Sequence, residues 1–241
     1  MFASIAAMAA VAFAGGMMQG IAGFGAGIVQ MLILPWLFPL NVASGIAGIV
    51  ACTLTAAMLL RYGKYVKIKK IALTTFLYAL GGFISINFAS GVDQALMKRI
   101  FGGFLIVLSV YFLFIQKRGL KIEALPLVIV IALISGVCDG LFAIGSPLMV
   151  ILYLAMSESK EEYLANTQST FFVTGLSNTL IRVSRGILEL SHLPYIITGV
   201  VMIWAASFVA GKVSDRIDGE KLKRIAYYAI GVTGIINLLG L

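Results

Sequence analysis

Long apolar runs separated by short polar clusters are the dominant pattern along the chain. They lie near residues 3–19, 26–38, 43–61, 70–90, 99–116, 124–140, 145–156, 164–182, 194–211 and 224–240. The runs are continuous and lack the two-residue alternation of a transmembrane barrel, so they predict α-helices. Crossing a hydrocarbon layer takes roughly 17–25 helical residues. Runs 26–38 and 145–156 are too short for that. They predict half-helices or re-entrant arms, which a bilayer tolerates where their freed backbone is covered by protein or lines a wet cavity.

Composition supports the bilayer as solvent. The chain is 61% hydrophobic and 12% charged, with a mean hydropathy of +1.04, more apolar surface than a water-soluble exterior can hide. The expected fold class is therefore an all-α polytopic membrane protein, with the lipid bilayer as its first partner. A net charge of +8 raises nucleic acid as an alternative. However, the charges cluster between apolar runs and show no aromatic–basic groove pattern, so no nucleic-acid partner is expected. No basic residue precedes Arg61, which argues against a cleaved signal peptide. Cys52 and Cys138 both sit inside apolar runs and read as small packing residues.

Basic residues also orient the runs. If each short run returns to the side its predecessor came from, 14 of the 18 Lys and Arg fall on one side: Arg61–Lys70, Lys117–Lys121, Lys160 and Lys212–Arg224. Lys98, Arg99, Arg182 and Arg185 fall on the other. Treating runs six and seven as one crossing gives 10 against 8. The positive-inside rule favours the first arrangement, with both termini outside. Residues 1–117 then form one membrane repeat and 118–241 a second, inverted one, each of about five segments.

The repeat leaves a trace in the sequence. Residues 16–25 (GMMQGIAGFG) lie over 136–145 (GVCDGLFAIG) at a constant offset of 120, with three glycines coinciding and Gln19 over Asp139. Each block sits between a long run and its short partner. A chain break here would present backbone N–H groups and a half-helix N-terminus to an anion. The candidate binding residues are thus Gln19, Gly20, Gly23, Phe24 and Gly25 in the first block and Gly140, Gly145 and Ser146 in the second. The competing reading is that these glycines only let helices pack closely.

Run 164–182 carries Asn166, Thr170, Thr174, Ser177 and Asn178 and ends at Arg182; run 43–61 carries the smaller set Ser44, Gly45, Gly48, Cys52 and Thr55. In lipid such residues face the bundle interior or a water-filled path. Asn166, Thr170 and Ser177 nearly align and join Ser44 and Asn178 as candidates. Interhelical hydrogen bonding, or capping by Asn166, is the alternative. Asp139 lies well inside an apolar run, which makes it the candidate for ion coupling. Arg182 either draws an anion to the outer mouth or snorkels to headgroups. His192 reads as a loop residue, and Glu158, Glu161 and Glu162 as a solvated loop. No metal-ligand cluster, nucleophile–base pair or cofactor motif occurs, so neither enzyme chemistry nor a cofactor is expected.

The block GIAGFGAGIVQMLILP at 20–35, its weaker copy GLFAIGSPLMV from Gly140 and the polar Asn166–Asn178 run together resemble the sulfite exporter TauE/SafE family. The resemblance spans essentially the whole chain. It implies a secondary transporter of small sulfur-containing or organic anions such as sulfite, sulfoacetate or other sulfonates, working outward on an ion gradient in a cytoplasmic membrane. The family's second motif is usually richer in glycine; here Ser146-Pro147 follows Gly145. A passive anion channel, a non-transporting assembly subunit and a homo-oligomer stay open at this level.

Overall fold

The computed structural model describes residues 2–89, 91–115, 124–213 and 219–240. The described residues form helices and no strands: α1 (Phe2–Ala22), α2 (Ala26–Gln30), α3 (Leu34–Leu37), α4 (Leu40–Tyr62), α5 (Ile68–Ala89), α6 (Gln94–Val110), α7 (Leu125–Phe142), α8 (Ser146–Met156), α9 (Lys160–Ser184), α10 (Leu193–Val213) and α11 (Gly219–Leu239). The chain is an all-α polytopic membrane protein. Six stretches among the described residues are long and apolar enough to span a bilayer. Phe88, Phe114 and Phe208 point outward, 73%, 71% and 67% exposed, as lipid-facing side chains do. The 117/118 repeat boundary, the Lys117–Lys121 cluster and Arg216 lie outside the described residues.

Helix α9 is long but too polar for a lipid-facing span, and its position explains how it survives. Asn166, Thr167, Gln168, Thr170, Thr174, Asn178 and Arg182 are all buried, because α4, α5 and α8 enclose it. Ser159 caps its N-terminus, accepting the Glu162 N–H at 3.1 Å, as Asp93 caps α6 through the N–H groups of Ala95 and Leu96. Such caps satisfy orphan donors where the chain re-enters the membrane.

Long helices pair as α1 with α10, α5 with α7, α4 with α9 and α6 with α11. Small residues set the first two pairs. A Cβ on Gly16 would come within 2.6 Å of the Ile203 carbonyl, and one on Gly20 within 2.6 Å of the Ala210 methyl. In the other pair, a Cβ on Gly136 would strike the Tyr78 backbone and one on Gly140 the Ser85 hydroxyl. Close approach of this kind supplies dispersion contacts where lipid gives no hydrophobic drive between helices.

Three sequence expectations change. The 26–38 run is an interrupted arm, α2 and α3 joined by a turn, with Pro35 in the first turn of α3. Asn166 does not cap α9, which starts at Lys160. The Glu158–Glu162 patch is not simply solvated: Glu162 is buried and accepts from Lys70 Nζ at 2.8 Å, while Glu158 takes the same ammonium at 2.9 Å.

Candidate functional site: a cavity between two helix breaks

Helix α1 ends just before Gly23 (φ +82°), and Gly25 (φ +104°) begins α2. Glycine meets no Cβ penalty at such angles. The second break uses different residues. Gly140 stays within α7, Gly145 has an ordinary φ of −82°, and the left-handed position falls on Ala143 at φ +55°. Ala143 is the residue 120 after Gly23, so the turn is kept while the glycine is not. An alanine held there costs roughly 1–2 kcal/mol. Pro147 then fits the first turn of α8, where its missing N–H removes nothing. The two break tips touch, since a Cβ on Gly27 would run into the Ala143 carbonyl.

Beside the touching tips lies a cavity of about 60 Å³, several times the roughly 10–15 Å³ that one water needs. Gln19 and the Phe24–Gly27 turn line one side, and Ala143 and Ser146 the facing turn. Helix α4 adds Gly48, Ala51, Cys52 and Thr55, and α9 adds Phe171, Thr174, Gly175, Asn178, Thr179 and Arg182. On each helix these residues recur at three- and four-residue steps, which keep one face inward.

Charge enters this cavity from two side chains. Asp139 accepts Asn178 Nδ2 at 2.8 Å, and the Tyr78 hydroxyl and the Gly145 backbone N–H also donate to it. Arg182, 3% exposed, donates from Nη2 to the Gly140 carbonyl at 2.6 Å and to Ser44 Oγ at 3.1 Å. Both bonds use one nitrogen, leaving the other guanidinium donors for an occupant. Arg182 and Asp139 sense each other electrostatically without forming an ion pair. The N-terminus of the eleven-residue α8 also opens here, at Ser146. A small anion could take the Arg182 fork and these N–H groups together.

The sequence candidates divide into three groups. Gln19, Phe24, Gly25, Ser146, Asn178 and Asp139 line the cavity. Gly23, Ser44, Gly140 and Gly145 shape its wall: the Gly23 carbonyl accepts Gln168 Nε2 at 2.9 Å, Ser44 and Gly140 hold Arg182, and Gly145 holds Asp139. Gly20, Asn166, Thr170 and Ser177 are elsewhere. Gly20 abuts α10; Asn166 Oδ1 accepts the Lys67 N–H at 2.9 Å; Thr170 shares its hydroxyl with Tyr153 (2.6 Å) and Thr75 (2.7 Å); Ser177 is half-buried outside the lining. On α9 the cavity lining thus includes Phe171, Thr174, Asn178 and Arg182, while Asn166 and Thr170 are buried in the bundle interior away from it. Arg182 is buried in the bundle and does not snorkel. Its four-residue step from Asn178 was the available signal. Tyr78, an ordinary aromatic inside an apolar run, gave none.

A family model described as sulfite exporter TauE/SafE matches residues 8–236. Over 254 aligned residues the chain is 25% identical to a probable membrane transporter protein of Methanocaldococcus jannaschii, with 95% of this chain and 93% of that protein covered. No solved structure matches.

Proposed function

Because the chain belongs to the sulfite exporter TauE/SafE family of membrane transporters, not enzymes, we propose that it is a secondary transporter of small sulfur-containing or organic anions, sulfite and sulfonates foremost. The reading rests on one observation above the rest: Arg182, a fixed cation with its side chain enclosed in protein, forms part of the cavity wall between the two helix breaks. A desolvated guanidinium is expensive unless matched by charge. Its two neutral hydrogen-bond partners match it only in part, and a bound anion completes the match. Asp139 serves as the coupling group, neutral when protonated and so compatible with an anion nearby. Outward transport across a cytoplasmic membrane, the direction in the family's description as exporters, completes the proposal, with the Asp139 proton and the anion crossing together.

Alternating access is the mechanism this reading adopts, with residues 1–117 and 118–241 as inverted repeats that rock about the cavity. Support comes from the helix pairing. Exchanging α1 with α7 and α5 with α10 turns the α1–α10 pair into the α7–α5 pair. The glycines at these contacts, Gly16 and Gly20 against Gly136 and Gly140, carry the same offset of 120.

Thermal unfolding of the purified chain in detergent, with sulfite, thiosulfate, alkanesulfonates and carboxylates added in turn, tests the reading. A ligand at 100 times its Kd stabilises the folded state by about 2.7 kcal/mol. At least one sulfur oxyanion is expected to shift the wild-type midpoint and to leave Arg182→Gln unmoved. A wild type indifferent to every anion in the panel contradicts the proposal.

A further inference from the structure

We propose that Gly48 is the size-selecting position of the cavity, setting how large a substituent the transported anion can carry; this rests on the anion-transport reading above.

Most glycines of this bundle have a visible structural reason. Gly16, Gly20, Gly136 and Gly140 let helices touch, and Gly23 and Gly25 supply positive φ. On the α4–α9 contact, a Cβ on Gly45 would meet Arg182 Cδ at 2.9 Å, and one on Gly175 would meet Cys52 Sγ at 3.0 Å. Gly48 fits none of these roles. It lies inside a helix, its φ is not positive, and a Cβ built on it meets nothing within 4 Å. Glycine in a helix interior is less stable than alanine, so packing and backbone geometry both argue against it here. What lies in front of Gly48 is the cavity.

Its position gives the empty space a meaning. Gly45, three residues earlier, marks where α4 passes the Arg182 stem. Gly48 is therefore about 4.5 Å further along the α4 axis, on the same face as Ala51, Cys52 and Thr55. An oxyanion head held by Arg182 would extend its uncharged part along this wall of small side chains, with Phe171 on the facing helix. The acceptable substrate class is then an anion of sulfonate type with a short organic tail, and the tail passes Gly48.

The test is flux in proteoliposomes of the full chain, with sulfite and propanesulfonate as probes, for wild type, Gly48→Ala and Gly48→Leu. Gly103→Ala serves as control, because a Cβ there also meets nothing but Gly103 is not part of the cavity lining. The wild type should carry both probes. The propanesulfonate-to-sulfite ratio should fall by about tenfold or more in Gly48→Leu and by less in Gly48→Ala, the scale on which a pocket discriminates carbon groups. It should stay unchanged in Gly103→Ala. Gly48→Ala should unfold at or above the wild-type temperature, which separates a selectivity role from a packing role. An unmoved ratio, a Gly48→Ala protein less stable than wild type, or a wild type that carries sulfite but not propanesulfonate overturns the inference and leaves the transport reading standing. A wild type that carries neither probe overturns both.

Discussion

In the proposed mechanism, Arg182 and Asp139 divide the work of the cavity between a fixed and a switchable charge. Arginine keeps its proton at any working pH, so Arg182 can hold an anion but not release it by titration. A carboxyl can change its charge, and Asp139 is held in place as acceptor from Asn178, Tyr78 and the Gly145 backbone. Replacing Arg182 with Lys keeps a charge but loses the planar guanidinium, whose Nη2 alone holds both Gly140 and Ser44 and leaves its other N–H groups for an anion. Flux of the preferred anion is expected to fall at least about tenfold, since one charge-assisted hydrogen bond is worth roughly 1.5–3 kcal/mol. Flux within twofold of wild type would remove Arg182 from the site. Neither residue's role was fully legible beforehand. Asp139 stood out because a carboxylate is rare inside an apolar run. Arg182 sat at the end of such a run, where snorkelling is the ordinary outcome, and only the tertiary enclosure of α9 showed otherwise.

The elements that shape the site are two helix breaks that do one job with different residues. The first places a glycine at φ +104°, so Gly25→Ala is expected to lower stability by roughly 1–2 kcal/mol. The second places Ala143 at φ +55°, so Ala143→Gly is expected to raise it by up to about 1 kcal/mol. Denaturation midpoints of the two variants, moving in opposite directions, would bear out the geometry; a shared sign would contradict it. The breaks themselves were readable from the short runs after each glycine block, but which residue turns left-handed was not, because the second block places an alanine, not a glycine, at that position. At the far end of α8, Lys70 ties Glu158 to Glu162 and holds the Glu158 carboxyl below the ordinary glutamate range, chiefly by donating a hydrogen bond to it. A depressed carboxyl pKa adds stability above its unfolded value, near 4.3, and loses it as the pH falls through the folded value. Glu158→Gln should therefore flatten the acid limb of the stability profile. An acid limb as steep as that of wild type would show that Glu158 contributes nothing there.

For the molecule as a whole, membrane embedding and helix positions were legible because a bilayer imposes uniform rules on length and apolarity. The polar α9 was legible as a run but not as an interior helix; its shielding by α4, α5 and α8 is a tertiary fact. Asn166 and Thr170 face the bundle interior, as polar residues in lipid should, but serve the contacts with Lys67, Tyr153 and Thr75 and do not line the cavity, a division their polarity alone does not reveal. What unites the scales is the proposal of a transporter that closes around the cavity holding Arg182 and Asp139. The most direct test is accumulation of sulfite, or of whichever anion stabilises the protein best, by proteoliposomes with an imposed proton gradient. The wild type is expected to concentrate the anion above its external level and to lose that gain when the gradient is collapsed. Asp139→Asn is expected to equilibrate the anion without concentrating it. A wild type that only equilibrates the anion, whatever the proton gradient, would contradict coupled transport and mark the cavity as part of a channel.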